Sequence, residues 1–206
     1  MRLVYLIILI VISITTLQAK TIVFLGDSLT AGYNISQKKA FPALIYEKIT
    51  SESVTIINAG VSGDTTFNLL NRLNWVIEQT KPDIAFLCIG ANDGLRGVSI
   101  NVIQSNLQQI INILTSQNIT TILAGISLPE NYAPLYVTSF ESVFETIAQK
   151  NKLLFFPFLL KDVAGHNKFN LPDRIHPNIK GHEIIANNVF EFLVSTNIIL
   201  QPNAVH

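Results

Sequence analysis

Two short stretches at opposite ends of the chain carry the residue types that nucleophilic catalysis requires. Near the N-terminus, Gly26-Asp27-Ser28-Leu29 follows five residues, Thr21 to Leu25, that read as a strand. Near the C-terminus, Asp173-Arg174-Ile175-His176-Pro177 sets a carboxylate three residues before an imidazole. A serine hydroxyl is a weak nucleophile and needs a base, which in turn needs an orienting group. An Asp-x-x-His turn can lay its carboxylate against Nδ1 and leave Nε2 facing outward. Taken singly, each stretch also has a plainer reading as helix-capping chemistry. Taken together, they make Ser28, His176 and Asp173 a candidate nucleophile, base and orienter.

Acyl transfer further needs donors for the oxygen on which negative charge develops. Gly63, in Gly60-Val61-Ser62-Gly63-Asp64-Thr65, can aim a backbone N–H freely. Asn92, in Gly90-Ala91-Asn92-Asp93-Gly94, offers an uncharged side-chain donor. Taken singly, each is more often plain turn chemistry. Asp27, Asp64 and Asp93 read as residues that tie down their loops, and His182, on the apolar face of a helix, reads as a core histidine. His166 and His206 have no partner signal. There is no HxxxH, CxxC or carboxylate cluster and no phosphate-loop pattern, so neither metal nor cofactor is implied.

These residues have to be held by strands and helices in alternation. Apolar runs at Thr21–Leu25, Val54–Asn58, Asp83–Ile89, Thr120–Ile126 and Leu153–Phe156 read as five strands. Helical spacing appears between them: Phe41 to Thr50; Phe67, Leu70, Leu73 and Ile77; Ile100 to Leu114; Phe140 to Ile147; and finally His182 to Leu193. The alternation predicts an α/β three-layer, flavodoxin-like fold with a parallel sheet in order 2-1-3-4-5. In such sheets ligands bind outside the carboxyl ends of the strands. Ser28, Gly63, Asn92, Asp173 and His176 all follow strands and fall on that one rim. The loop Leu128 to Tyr136 and the pair Gly94-Leu95 leave the same rim. Leu95, Leu128, Pro129 and Tyr132 are therefore candidates to line an apolar groove for substrate.

The chain has 206 residues, 49% hydrophobic and 14% charged, with a formal net charge of +0. That balance suits one domain with a large core and leaves no basic excess for nucleic acid. The single cysteine, Cys88, lies in an apolar run and reads as core. Residues 1–19 stand apart: Arg2 precedes the apolar block Leu3 to Ile14, and a small residue, Ala19, comes before Lys20. This is the pattern of a secretory signal peptide, with a retained anchor as the alternative because Leu17 is not the small residue preferred three positions before the cut. The domain proper is then 20–206, located in the periplasm or secreted. Membrane contact is expected only through the leader or a lipid substrate.

Four of these blocks, Gly26-Asp27-Ser28-Leu29, Asn58 to Thr65, Gly90 to Gly94 and Asp173 to Asn178, resemble in order the blocks of the SGNH hydrolases, the GDSL esterase/lipase family. Leu25 to Tyr33, Asn92 to Gly97 and Leu128 to Tyr132 are similar to its bacterial periplasmic thioesterase, lysophospholipase and arylesterase branch. The resemblance implies Ser28 as nucleophile, His176 as base and Asp173 as orienter. It also implies oxyanion donors from the Ser28 and Gly63 N–H groups and the Asn92 side chain, and a loop from Leu128 lying along the acyl chain. It implies catalysis without metal or organic cofactor on acyl esters, thioesters or lysophospholipids; a monomer is the separate expectation for the assembly. Arg174 departs from the family pattern, in which a small residue follows the Asp. Two other readings remain open: an esterase of acetylated carbohydrate, and a non-catalytic binding module.

Overall fold

The protein is described by a computed structural model over residues 19–49, 54–129 and 131–199. The N-terminal leader expectation lies outside these residues. β-branched and aromatic runs form five strands: β1 (Lys20–Gly26), β2 (Val54–Gly60), β3 (Ile84–Cys88), β4 (Thr120–Ala124) and β5 (Leu154–Phe156). All pair in parallel in the order β2-β1-β3-β4-β5, as expected. The helices are α1 (Ser28–Ala31), α2 (Phe41–Lys48), α3 (Thr66–Thr80), α4 (Ala91–Leu95), α5 (Ile100–Ser116), α6 (Pro134–Asn151) and α7 (Ile179–Ser195).

One crossover runs back from β1 to β2 and the rest run forward. Right-handed connections therefore place α2 on one face of the sheet and α3, α5 and α6 on the other. α7 packs beside α2 to complete its layer. The central strands are covered on both sides, so Ile22 to Leu25 and Ala85 to Cys88 are fully buried. Phe24 joins the layers: its ring meets Phe41 of α2 edge-on at 5.5 Å and Phe86 of β3 at 5.1 Å. Among the described residues no helix is long and apolar enough to cross a membrane.

The structure corrects several expectations. On α3 the buried stripe is Thr66, Leu69, Leu73, Val76 and Ile77, while Phe67 is exposed. The cause lies at the helix start. Asp93 accepts from both the N–H and the hydroxyl of Thr66, at 2.8 and 2.7 Å, which turns Thr66 inward and its neighbour out. A capping box between Thr65 and Asn68 pins the same turn. β2 runs on to Gly60 because Ala59 and Gly60 still pair with Leu25 and Gly26. α6 begins at Pro134, so Tyr136 belongs to a helix rather than to the preceding loop.

Candidate active site

Ser28 enters the site from β1. The chain turns sharply from Gly26 into α1, and a Cβ on Gly26 would collide with the Thr30 side chain and the Cys88 carbonyl. Asp27 caps the turn, its Oδ1 accepting from the Leu29 N–H at 3.0 Å. Ser28 is the first residue of α1, and its N–H has no partner among the described residues, as at any helix start.

The imidazole comes from a loop tied at both ends. Leu171 N–H donates to the His176 carbonyl at 2.7 Å, Asn170 bridges to Pro177, and the Asn170 amide donates to the Val163 and His166 carbonyls. Within this frame Asp173 Oδ1 accepts from the N–H groups of Ile175 and His176, at 2.9 and 3.0 Å. Asp173 Oδ2 lies 2.8 Å from His176 Nδ1, and His176 Nε2 lies 2.9 Å from Ser28 Oγ. A carboxylate can only accept, so Nδ1 carries the proton and Nε2 receives the serine hydroxyl. Burial alone would raise the Asp173 carboxyl. The two backbone N–H groups and the imidazole outweigh it and hold the group below its ordinary value.

Gly63 follows β2 with φ +88°, the left-handed region that glycine enters without strain, and nothing lies within reach of an added Cβ. Its conformation, not lack of space, calls for glycine. The Gly63 N–H donates to no acceptor among the described residues. Asn92, on α4, gives one amide hydrogen to the Asp64 carbonyl at 2.9 Å, and its second remains available. Arg72 braces the arrangement: Nε donates to Asp64 Oδ2 at 2.6 Å, and Nη2 reaches the Gly26 carbonyl at 3.2 Å. One side chain thereby links the loop after β2 to the end of β1.

A cleft of about 620 Å³ opens over Ser28 and His176. One wall is apolar, from Leu95, Ile126, Leu128, Pro129, Phe158 and Leu160. Tyr132 is not part of it. Its hydroxyl donates to the Leu95 carbonyl at 2.9 Å, so it fixes the wall instead of facing the substrate. Leu128 is buried, its side chain closing over Gly94 together with the Phe140 ring.

Residues 24–184 match the profile of the GDSL-like lipase/acylhydrolase family. The chain belongs to that family. It is a serine ester hydrolase by this membership. It is 33% identical over 195 residues to an arylesterase of Vibrio mimicus, covering 94% of this chain and 98% of the relative. It is also 33% identical to the thioesterase 1/protease 1/lysophospholipase of Escherichia coli, over 86% of this chain and 85% of that one. Among solved structures it is similar to the psychrotrophic esterase EstA of Pseudoalteromonas, a form inhibited by monoethylphosphonate. The TM-score is 0.83 with 32% identity, covering 87% of this chain and all of the other.

Within this GDSL-family frame, the tertiary structure brings Ser28, Asp173 and His176 into one hydrogen-bonded line. Leu95, Leu128 and Pro129 share the cleft with Asn92. The acidic neighbours do tie their loops: Asp27 caps α1, Asp64 holds Arg72, and Asp93 holds Thr66, which also accepts from Asn106. His182 is a core residue whose Nδ1 accepts from the Phe41 N–H, and burial pushes its pKa down to about 4, with the charge on His176 adding to the effect. Cys88 is buried, which pushes its thiol pKa well up and removes it as a nucleophile. Two residues escaped the sequence reading of the site. Arg72 stands inside α3 with no motif around it, and Tyr33 stacks on the His176 ring after a glycine-terminated turn.

Proposed function

We propose that the protein hydrolyses fatty acyl esters and thioesters, lysophospholipids included, through an acyl-enzyme on Ser28. The observation that supports this most directly is the line Ser28 Oγ, His176 Nε2, His176 Nδ1, Asp173 Oδ2, with separations of 2.9 Å and 2.8 Å at its two hydrogen bonds. Ser28 Oγ attacks the carbonyl carbon while His176 Nε2 takes the hydroxyl proton. Asp173 keeps the imidazole in the Nδ1–H form and stabilises its cation. The new oxyanion accepts from the N–H groups of Ser28 and Gly63 and from the free Asn92 hydrogen. As the carbon–oxygen or carbon–sulfur bond breaks, Nε2 returns the proton to the departing group. Water then repeats the sequence on the acyl-serine, regenerating Ser28 and releasing the acid.

The apolar wall of the cleft favours fatty acyl chains over the acetyl groups of carbohydrate. Residues 1–19 act as an export leader cut before Lys20, so the mature chain works in the periplasm or outside the cell. A fluorophosphonate probe tests the mechanism, since it reacts only with an activated serine. One adduct on the peptide containing Ser28, lost in Ser28→Ala together with ester hydrolysis, is expected. An unlabelled parent, or a Ser28→Ala variant within tenfold of the parent, overturns the reading.

A further inference from the structure

We propose that Arg174 makes the mouth of the cleft a subsite for an anionic leaving group: a phosphate, sulfonate or carboxylate carried on the alcohol or thiol half of the substrate. The inference deepens the acyl-transfer reading and rests on it. Arg174 sits in the turn between Asp173 and His176 and lines the same cleft as Ser28 and Asn92. Its backbone is left-handed, at φ +61°, and its N–H is held by the Leu171 carbonyl at 2.9 Å. A side chain in that conformation is strained where glycine would not be. The turn therefore does not itself call for an arginine.

Nor does an ion pair. Among the described residues the pairs are Arg72 with Asp64 and His176 with Asp173, and the Arg174 guanidinium has no acceptor. The adjacent Asp173 carboxylate is already engaged, both oxygens accepting from Ile175 and His176. Arg96, on the neighbouring loop, donates to the Gly63 carbonyl. Among the described residues Arg174 thus brings an unpaired, forked donor to the mouth, shaped for two oxygens of one anion.

The reaction decides which half of the substrate meets it. Nε2 hands its proton to the departing oxygen or sulfur, so the leaving group exits past His176, two residues from Arg174 in one turn. The acyl half lies against Leu95 and Leu128 instead. No bond is made or broken by Arg174; it orients and attracts.

The test compares kcat/KM on butyrate esters of a nitrophenol with and without a ring sulfonate, and on a nitrophenyl ester whose acyl half ends in a carboxylate. Parent, Arg174→Gly and Arg174→Lys are measured at low and high salt. Expressing each result as a ratio to the neutral ester cancels differences in active enzyme. Arg174→Gly should lower the sulfonated-to-neutral ratio about tenfold, the size of one charge-assisted contact. Arg174→Lys should recover part of it, and added salt should depress the ratio in the parent but not in the glycine variant. A ratio unchanged within about twofold overturns the subsite. So does a loss confined to the ester with the acyl-side carboxylate. A parent inactive on the neutral ester would instead defeat the acyl-transfer reading, and the subsite with it.

Discussion

The phenol ring of Tyr33 lies over the imidazole of His176, with centroids 4.4 Å apart and planes inclined by 34°. Tyr33 follows Gly32, the left-handed end of α1, so the turn that delivers Ser28 also delivers a cover for its base. An aromatic contact of this kind contributes about 1 kcal/mol, and more when the imidazole is charged. Tyr33→Ala should lower kcat about fivefold with a smaller change in KM, because the ring acts on the base and not on bound substrate. Tyr33→Phe keeps the ring and should retain activity. Equal losses in both variants would point to the hydroxyl.

Asn92→Ala should reduce kcat by about 10²–10³ and leave KM nearly constant, since the donor matters chiefly once charge has developed on the oxygen. A KM effect alone would assign Asn92 to ground-state binding. Steady-state kinetics on one nitrophenyl ester separates the two.

Asp27 sets a pH dependence of stability. Burial drives its carboxyl up to about 7, against the Leu29 N–H and reinforced by the charges of Asp64 and Asp93. Between about pH 4 and 7 the folded chain keeps a proton that the unfolded chain has lost, so this contribution falls as pH rises. His182, pushed down to about 4, works the other way: the unfolded chain gains a proton below about 6.5 that the folded chain refuses, so stability falls as pH drops. Asp27→Asn retains an N-capping side chain and removes the first slope. Urea unfolding at pH 5 and pH 8 should show the variant gaining on the parent at the higher pH, by a few kcal/mol. A constant difference would mean that Asp27 is ionised in the fold throughout.

Acyl-chain preference should follow the Leu95 wall. Each buried methylene contributes about 0.8 kcal/mol at most, so activity on nitrophenyl esters should climb from acetate to medium chains. Leu95→Asn should flatten that climb while acetate hydrolysis persists. Leu95 is the better probe than Leu128, whose side chain is buried over Gly94. A parent that prefers acetate outright would remove the groove.

By itself the sequence determined whatever depends on near neighbours and on patterning. The unalternating apolar runs at Val23 to Leu25 and Ala85 to Cys88 require a sheet covered on both faces, and their alternation with helices leaves few parallel topologies. The Asp173 to His176 turn is local too, closed by hydrogen bonds spanning two and three residues. Only the tertiary structure decided contacts between distant segments. His176 meets Ser28 across 148 positions, and Arg72 reaches Gly26 across 46. The α3 face illustrates the physical reason. Its spacing allowed two neighbouring stripes, and the choice fell to Asp93, a residue of the short helix α4 that captures Thr66 and sets the rotation of α3 at its first turn. Likewise nothing near Asp27 in the chain announces its burial. That follows from the sheet and helices closing over a carboxylate already committed to capping α1.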